Sequence, residues 1–560
     1  MNFNASNVVR KAATGEVFTR GEVVDYMLRE VTRIGNFRHW LGMRVLEPSC
    51  GIGAFVVPLV RNMANEVEDW NDIRLDTFLT ACDISEANIE YSRQIVKEIL
   101  MKAGCPVERA ESLGQTWFVC GDFLLIDFYG EFDVVVGNPP YIRFDELSLM
   151  QQMAYKARYS TFIERCDIYV PFFEKSLSLL SANGVLAFIC SNRFTKSSYG
   201  KRLRAFIANG YHVALYLNME HAQPFEETVS AYPAIYLIDR RQGAKTQAAT
   251  IDDSSVRMLL SSLLSTNTFS EFDQWYHGDE PWFSTNSEHR KYMEQIYRTY
   301  PIVEKSARKT KIGIGVATGA DDVYVDAQNK ADVEQECLLP LVTAEDIQDS
   351  KIEWKHHYIL NPFSDSNDEM MRDLSKYPRT AAYFEANSAR LKARYCAKKH
   401  PCFWYRTLDR LNYRLLKSPK LLLPDIQSGG NVALDEHGIF YPHHNVYWIT
   451  SEEWNLRALW GIMHSSFVTR QIRSVSQEMR GGFIRYQAQN LRNVHIPSYS
   501  SLTEEEVKRL VSLYGETNLA RIDEIVFSIV QEAASRQEKT MKQLELFDDY
   551  AVWYPESSEG

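Results

Sequence analysis

The sequence lacks the features that mark exported, membrane-embedded and zinc-binding proteins. Its 9 cysteines are scattered over 560 residues without a Cys-x-x-Cys pair, which is typical of reduced thiols in a cytoplasm. There is no run of about 18 apolar residues and no signal-peptide pattern, so we expect a soluble cytoplasmic protein that does not enter a membrane. The histidines form no ligand pairs, and we interpret His443-His444 as loop or groove surface. The sequence therefore predicts no metal site.

Acidic residues outnumber basic residues in this chain, and the net charge is −11. Much of this negative charge lies in residues 501–560, which carry 6 Lys/Arg and 13 Asp/Glu. These residues are predicted to form an acidic helical tail. The stretch from Arg390 to Lys420 is the opposite, with 10 Lys/Arg and a single acid, Asp409. Aromatic residues are interleaved with these cations, which fits a surface that follows a phosphate backbone. A solvated basic helix face is the alternative interpretation.

The octapeptide Val-Val-Val-Gly-Asn-Pro-Pro-Tyr at 134–141 predicts a buried strand that stops at a rigid loop. The two prolines fix φ and remove two N–H donors, so the polar groups of the loop are held in place. Asn138 Oδ1 and the Pro139 carbonyl can accept the two hydrogens of an exocyclic amino group, such as N6 of adenine, while Tyr141 stacks on the ring. A chance occurrence in a surface turn is the alternative, and the apolar strand argues against it.

A second motif lies upstream, where residues 45–60 predict a strand, a glycine-rich turn and a helix. Glu47 ends the strand, and Gly51 and Gly53 let the backbone pass close to a ligand. Pro58 must lie in the first turn of the helix. Alone, this pattern fits a dinucleotide-binding site equally well.

Two more predicted strands end in acidic residues. The strand at 78–82 leads to Asp83, which suits the two hydroxyls of a ribose. The strand at 117–120 leads to Asp122 and Phe123, which suit the amino group and the ring of an adenine. Because open α/β sheets bind ligands at the carboxyl ends of their strands, we expect these residues to form one cofactor site.

Taken in order, these motifs make residues 12–240 resemble the gamma class of DNA adenine-N6 methyltransferases from restriction–modification systems, of the TaqI type. The resemblance implies a bacterial or archaeal protein with a Rossmann-like α/β domain that uses S-adenosylmethionine (SAM). It also implies a mixed α+β target-recognition domain and a helical C-terminal tail. The expected boundaries are 1–240 for the catalytic domain, 241–300 for a connecting region, 301–500 for target recognition and 501–560 for the tail.

The resemblance also implies roles for individual residues. Phe18 and Thr19 match positions that contact the methionine part of SAM, and Phe225 matches an aromatic on the far face of a flipped-out base. The residues expected to bind SAM are Phe18, Thr19, Glu47, Ser49, Gly51, Gly53, Asp83, Ile84, Asp122 and Phe123. The residues expected to be catalytic are Asn138, Pro139, Pro140, Tyr141 and Phe225.

The pattern beyond residue 300 resembles the target-recognition domain of the same family. It predicts a glycine-rich hairpin at 311–325, strands at 358–360, 420–424 and 445–450, a helix at 455–475 and a loop at 479–485. The turn at Thr318-Gly319 and the loops at 443–445 and 480–485 are candidates for contact with double-stranded DNA. The residues expected to bind DNA are Lys398, Lys399, Trp404, Arg406, Arg480 and Arg485.

One segment of the chain contains the residue types of a nuclease motif, but the match is weak. Asp349 with Glu353-Trp-Lys355 is too tightly spaced for a Mg²⁺-dependent nuclease, so we interpret it as structural. Because the methyltransferase motifs begin within about twenty residues of Met1, we expect no N-terminal nuclease domain, and any cleavage would come from a separate restriction endonuclease.

Other functions remain open from the sequence. Methylation of cytosine N4 is a variant of the favoured hypothesis, because the same loop can hold either amino group. Protein-glutamine methyltransferases share Asn-Pro-Pro-Tyr, but they are shorter and lack anything like the 300–500 region. A DNA-recognition subunit that binds SAM only as a structural ligand is the non-enzymatic alternative, and the intact 138–141 motif argues against it.

Overall fold

The computed structural model describes residues 17–227, 232–241, 243–252, 269–304, 309–364, 371–476, 478–479 and 482–553, with side chains up to Arg536. The chain divides into two compact units, Met1–Arg290 and Lys291–Gly560. Within the described ranges, the structure contains no helix with the length and apolar character needed to cross a membrane.

The first unit is built on a single twisted sheet. Its strands are β1 Val45–Glu47, β2 Leu79–Asp83, β3 Phe118–Cys120, β4 Phe132–Gly137, β5 Leu180–Ser191, β6 His212–His221, β7 Pro233–Asp239, β8 Thr246–Asp252 and β9 Ser270–Phe272. Its helices are α1 Gly21–Gly35, α2 Val56–Ala64, α3 Glu86–Lys102, α4 Val107–Trp117, α5 Leu149–Arg158, α6 Tyr169–Ser178, α7 Arg193–Lys196 and α8 Lys201–Gly210. The strand order is β3-β2-β1-β4-β5-β7-β6-β8-β9. From β3 to β5 the strands are parallel, whereas β7 is antiparallel to both of its neighbours.

Strand β4 shows why the sequence folds in this way. Val134 and Val136 are fully buried in a hydrophobic cluster on one face of the sheet, and Val135 is fully buried in a cluster on the other face. A continuous apolar run therefore fits a parallel strand that is covered on both sides. The four predicted strands that end at Glu47, Asp83, residue 120 and residue 137 are all confirmed, as is the α/β class of the fold.

The segment at 241–300, expected to be a connecting region that packs locally, contributes to this sheet. Strand β8 pairs with β6, and β9 pairs with β8. Trp275 and Trp282 are buried in the hydrophobic cluster that also contains Tyr236 of β7. The aromatic residues of this segment therefore extend the first unit up to residue 290.

The second unit contains several small sheets. Its strands are β10 Thr310–Ile314, β11 Leu338–Val342, β12 Ile347–Gln348, β13 Lys351–Ile352, β14 Tyr358–Leu360, β15 Lys420–Pro424, β16 Ile426–Gln427, β17 Ala433–Asp435, β18 Tyr441–Pro442, β19 Val446–Ser451, β20 Glu478–Met479 and β21 Phe483–Arg485. The sheet orders are β10-β19-β15-β17, β14-β11-β18, β12-β13 and β16-β21-β20.

The boundary between the two units, after Arg290, falls inside a helix, and further helices follow in the second unit. These helices are Ser287–Thr299, Asp321–Tyr324, Pro378–Ala386, Ser388–Lys392, Tyr395–Lys399, Tyr413–Leu416, Leu456–His464, Ser466–Val475, Ala488–Arg492, Glu504–Ser512 and Leu519–Trp553. The last two form the helical C-terminal region that the sequence predicts. The strands expected at 358–360, 420–424 and 445–450 are also present.

Three local predictions for the second unit are wrong. The expected hairpin at 311–325 is one strand, β10, which pairs with the distant β19, followed by a short helix at Asp321–Tyr324. The expected helix at 455–475 is two helices, because Ser465 is extended and Asp523 accepts hydrogen bonds from the Ser466 N–H and hydroxyl at 2.8 and 2.5 Å. The expected loop at 479–485 contains the paired strands β20 and β21.

Candidate active site

A cleft opens at the carboxyl ends of β1 to β4, where the sheet order reverses beside β1. Its volume is about 1010 Å³, including the solvent space at its open mouth. Most of the residues expected to bind SAM line it, together with three of the expected catalytic residues: Phe18, Thr19, Glu47, Ser49, Gly51, Asp83, Ile84, Asp122, Phe123, Asn138, Pro139 and Pro140. The other expected residues, Gly53, Tyr141 and Phe225, are not among the described residues that line it. The structure therefore places these residues, which are distant in sequence, around one cleft.

The glycine-rich turn between β1 and α2 is shaped by backbone conformation. Gly51 and Gly53 have φ angles of +51° and +91°, which residues with a side chain rarely adopt. The Gly53 N–H donates to the Cys50 carbonyl at 2.9 Å and closes the turn. Gly53 therefore sets the path of the chain, while Gly51 lies at the cleft.

Asp83, at the end of β2, joins this turn to the start of α3. Its Oδ2 accepts from the Gly51 N–H at 2.9 Å, and its Oδ1 accepts from the Ser85 N–H at 2.8 Å and from Asn88 Nδ2 at 3.2 Å. The neighbouring Ile84 side chain lines the cleft and is 65% exposed, which makes it a free apolar surface at the cleft. Asp83 thus organises the turn and also faces the cleft.

The turn after β3 is held by two residues that the sequence analysis missed. Tyr155 of α5 donates its hydroxyl to Asp122 Oδ2 at 2.7 Å, and Asp122 Oδ1 accepts from the Leu124 N–H at 2.9 Å. Lys175 of α6 donates to the Phe123 carbonyl, and burial lowers the pKa of Lys175 to about 8. Tyr155 lies 33 residues from Asp122 in the chain, and no local pattern marks the pairing.

Glu47 is the most deeply buried acid of the cleft, with 1% of its surface exposed. Burial, with a further contribution from Asp83, raises the pKa of the Glu47 carboxyl well above its usual range. Its Oε2 atom has no hydrogen-bond partner within the described part of the chain. A cation placed beside this carboxyl would stabilise its ionised form.

The Asn138 side chain is fixed in one orientation. Its Nδ2 donates to the Val17 carbonyl at 2.8 Å and to Thr19 Oγ1 at 3.3 Å. Because a carbonyl can only accept, the NH₂ group must point to Val17, and Oδ1 is left as the acceptor. That Oδ1 atom is buried and has no partner among the described residues. Ser49 also donates to the backbone carbonyl of Asn138 at 3.1 Å, which ties the motif loop to the glycine-rich turn.

Phe225 is held against the same N-terminal segment. The Glu226 N–H donates to the Phe18 carbonyl at 3.0 Å, and Arg20 Nε donates to the Phe225 carbonyl at 2.9 Å. The Phe225 and Tyr141 rings are 6.0 Å apart at an interplanar angle of 80°. In this arrangement both rings cannot lie flat against one base, so one ring must rotate before a base can stack between them.

The residues expected to bind DNA differ in their surroundings. Lys398 and Lys399 are exposed at the end of a short helix and form no ion pair with any described residue. Trp404 is half-buried with the Lys392 ammonium 4.5 Å from its ring, and Arg406 is half-buried. Arg485 forms an ion pair with the buried Asp425. Arg480 lies outside the described residues.

Two cations of the basic stretch are structural. The buried Arg394 donates to the carbonyls of Thr318 at 2.9 Å, Trp404 at 3.0 Å and Arg406 at 2.8 Å. Lys420 is fully buried and forms an ion pair with Asp435 at 2.7 Å. The charge count of this stretch therefore overstates the positive surface that it offers to a phosphate backbone.

The residues of the suspected nuclease motif take part in local pairing. Asp349 lies in the turn between β12 and β13 with φ at 46°, a position set by the tight connection. Lys355 Nζ forms an ion pair with Glu345 at 3.4 Å, and the backbone N–H of Lys355 donates to Asp346 Oδ1 at 2.7 Å. These contacts support the structural interpretation of this motif.

The sheet order and the residues around this cleft define an α/β methyltransferase domain. Comparison with known proteins identifies the family. The model of the Eco57I restriction-modification methylase family matches residues 48–225. The chain is 35% identical over 537 residues to the type II methyltransferase M.PaeR7I of Pseudomonas aeruginosa, with 92% of each chain covered. It is 34% identical over 520 residues to M.XhoI of Xanthomonas vasicola, covering 89% of this chain and 93% of that one. The chain therefore belongs to the type II methyltransferase family, the DNA-methylating enzymes of restriction–modification systems.

Among solved structures, the fold is similar to that of the type IIL restriction-modification enzyme MmeI in complex with DNA. The TM-score is 0.60 at 11% identity, covering 92% of this chain and 77% of that chain. The DrdV–DNA complex gives a TM-score of 0.53 at 13% identity, covering 91% of this chain and 57% of that chain. These similarities show that the fold is shared.

Proposed function

We propose that this enzyme transfers a methyl group from SAM to N6 of an adenine that is rotated out of double-stranded DNA. The observation that carries the proposal is the fixed Asn138 amide, whose buried Oδ1 acceptor has no partner among the described residues. An exocyclic amino group is the substrate group that matches such an acceptor, because it brings two N–H donors. Rotation of the base is needed because N6 is out of reach inside a duplex.

The chain's own groups account for activation of the amino nitrogen. The lone pair of N6 is delocalised into the adenine ring, which makes the nitrogen a poor nucleophile. Hydrogen bonds to Asn138 Oδ1 and the Pro139 carbonyl would draw the nitrogen toward a tetrahedral geometry and localise the lone pair. Because Asn138 is already held by Val17 and Thr19, it needs no reorganisation as the reaction proceeds. No base is required before transfer, since the proton leaves from a nitrogen that is already cationic.

The cleft fits SAM, which when bound supplies an electrophilic methyl group on a sulfonium sulfur. The Glu47 Oε2 atom, which has no partner among the described residues, suits the ammonium of the methionine part, and Thr19 is proposed to lie at the same end of the cofactor. Asp83 is proposed to hold the ribose, with the exposed Ile84 against the adenine. Asp122 and Phe123 are proposed to contact the adenine edge and ring. The second unit is proposed to bind the DNA and select its sequence.

Incubation of the full chain with duplex DNA and SAM labelled on the methyl group tests the proposed product. Digestion to nucleosides should place the label in N6-methyladenine. Label in N4-methylcytosine, or label on protein but not on DNA, would refute the adenine assignment.

Removal of the Asp83 carboxylate should weaken SAM binding. Asp83→Ala leaves the ribose hydroxyls without their partner and loosens the glycine-rich turn, at a cost of about 1–3 kcal/mol in binding free energy. Calorimetric titration with SAM measures the effect. Glu90→Ala, which removes an acid of α3 whose side chain is 75% exposed, should keep the wild-type affinity. Equal affinities for Asp83→Ala and Glu90→Ala would place the cofactor elsewhere.

Loss of the exposed lysine pair should weaken DNA binding on every sequence. Replacing Lys398 and Lys399 with alanine removes two phosphate contacts, so the slope of log K against log salt should fall by about two. Fluorescence anisotropy at several salt concentrations, on a methylation site and on random DNA, measures this slope. Lys508→Ala, an exposed lysine of the acidic C-terminal region, is the matched control and should leave the slope unchanged. An unchanged slope in the double variant would remove this surface from the DNA-binding site.

A further inference from the structure

Three side chains of the second unit converge at the start of a short helix and at the loop before β19. His443 Nε2 lies 3.2 Å from Asp321 Oδ2 and 3.0 Å from His444 Nδ1. His444 Nδ1 is 3.9 Å from the same Asp321 oxygen. Asp321 lies 122 residues before His443, and no local sequence pattern groups it with the two histidines. The pair that we interpreted as loop surface therefore faces a carboxylate.

The contacts of Nδ1, the other ring nitrogen of His443, show which nitrogen carries a hydrogen. Asn445 Oδ1 accepts from the Ala344 N–H at 3.3 Å, which identifies this atom as the amide oxygen. The same oxygen lies 3.1 Å from His443 Nδ1, so Nδ1 must carry a hydrogen. In a neutral ring Nε2 then presents a lone pair to the Asp321 carboxylate. A cation between His443 Nε2 and Asp321 Oδ2 would satisfy both of these acceptors.

We propose that Asp321, His443 and His444 bind a divalent transition-metal ion, with Zn²⁺ as the best match to two imidazoles and one carboxylate. A metal about 2.1 Å from each donor atom places the donors about 3.0–3.4 Å apart. Two of the three separations fall in that range. The third separation, 3.9 Å from His444 Nδ1 to Asp321 Oδ2, would shorten with a small rotation of the His444 side chain, which is 47% exposed. A single cation thereby satisfies all three donors at once.

Hydrogen bonds around the three donors resemble the support that metal ligands receive in proteins. The His443 Nδ1–H donates to Asn445, and the Thr318 hydroxyl donates to Asp321 Oδ1. These hydrogen bonds hold His443 Nε2 and Asp321 Oδ2 toward the proposed metal position. A groove lined by Asp321 and His443, with Asn329 and Thr343, opens beside the cluster and leaves room for a water ligand.

The proposed ion would join two loops that are far apart in sequence. These are the Thr318-Gly319 turn, which leads into Asp321, and the 443–445 loop. The sequence predicts that both the Thr318-Gly319 turn and the 443–445 loop contact DNA. The ion would fix the relative position of these loops within the second unit. This role is independent of the methyl-transfer site.

Zinc titration of the full chain without a histidine tag tests the proposal. After treatment with EDTA and dialysis, calorimetry should detect a saturable Zn²⁺ site in the wild type. His444→Ala removes one ligand at a half-exposed position and should weaken that site by at least about 100-fold, since loss of supporting groups alone costs 10–100-fold. His437→Ala, which removes an exposed histidine elsewhere in the same unit, should titrate like the wild type.

Thermal unfolding provides the second readout. Zn²⁺ should raise the unfolding midpoint of the wild type and of His437→Ala but not of His444→Ala, because a ligand stabilises only the state that binds it. Exposed thiols such as Cys120 and Cys402 can also bind zinc, and they are present in all three proteins. Equal titrations of the wild type and His444→Ala, or no saturable site in the wild type, would overturn the proposal.

Discussion

Asn138→Ala is expected to lower the rate of methyl transfer by at least about 100-fold while SAM affinity stays within a few-fold of the wild-type value. The variant loses the Oδ1 acceptor that is proposed to localise the lone pair of the amino nitrogen. That interaction strengthens as the nitrogen becomes tetrahedral, so its loss raises the barrier to transfer more than it weakens binding. Single-turnover kinetics with saturating SAM and DNA measures the effect directly.

Asn138 also anchors the N-terminal segment through Val17 and Thr19, so the variant needs a structural control. Ser49→Ala removes the hydroxyl that supports the Asn138 backbone carbonyl but leaves the amide in place. It should reduce the rate far less than Asn138→Ala does. Near wild-type turnover in Asn138→Ala would refute the assigned role. Equal losses in the two variants would show that loop position, and not the Oδ1 acceptor, limits the rate.

Lys420→Ala is expected to lower the free energy of unfolding of the second unit by about 3–5 kcal/mol. The Lys420 ammonium is completely buried and forms an ion pair with Asp435, whose exposure is also low. Burial lowers the pKa of Lys420, and the Asp435 carboxylate opposes that shift. Removal of the ammonium leaves a buried carboxylate whose remaining partners are two backbone N–H groups, those of Ile439 and Phe440, at 3.0 Å each.

Urea denaturation followed by tryptophan fluorescence measures this loss of stability. Lys398→Ala removes an exposed lysine of the same basic stretch and should change the unfolding free energy by less than about 0.5 kcal/mol. A similarly small change in Lys420→Ala would contradict the buried ion pair. The two lysines are indistinguishable in a charge count, so the contrast between them also tests how the basic stretch is divided between structure and surface.

The grouping of residues around the cleft at the strand ends was largely predictable from sequence because each part of the cleft is a local pattern. An apolar run, a sharp stop and a polar residue at the stop place Glu47, Asp83, Asp122 and Asn138 at strand ends, and a parallel sheet brings such ends together. The supporting contacts were not predictable in this way. The Tyr155 hydroxyl on Asp122 and the Lys175 ammonium on the Phe123 carbonyl join elements whose relative positions depend on packing.

The second unit was harder to predict for the same reason. Its strands are short and pair with distant partners, as β10 does with β19, so a glycine-rich run at 311–325 suggested a hairpin that does not form. The break at Ser465 depends on Asp523 from the C-terminal helix. Arg394 donates to the carbonyls of two separate loops, a structural role that a basic stretch in the sequence does not indicate.

The proposed activity is methylation of adenine N6 at the Asn138–Tyr141 loop. The most direct test is sequencing that reports modified bases in the genome of a host expressing the wild-type chain, compared with a host expressing Asn138→Ala at the same level. We expect N6-methyladenine at one defined sequence motif in the first genome and its absence from that motif in the second. N4-methylcytosine in the first genome, or undiminished N6-methyladenine in the second, would contradict it.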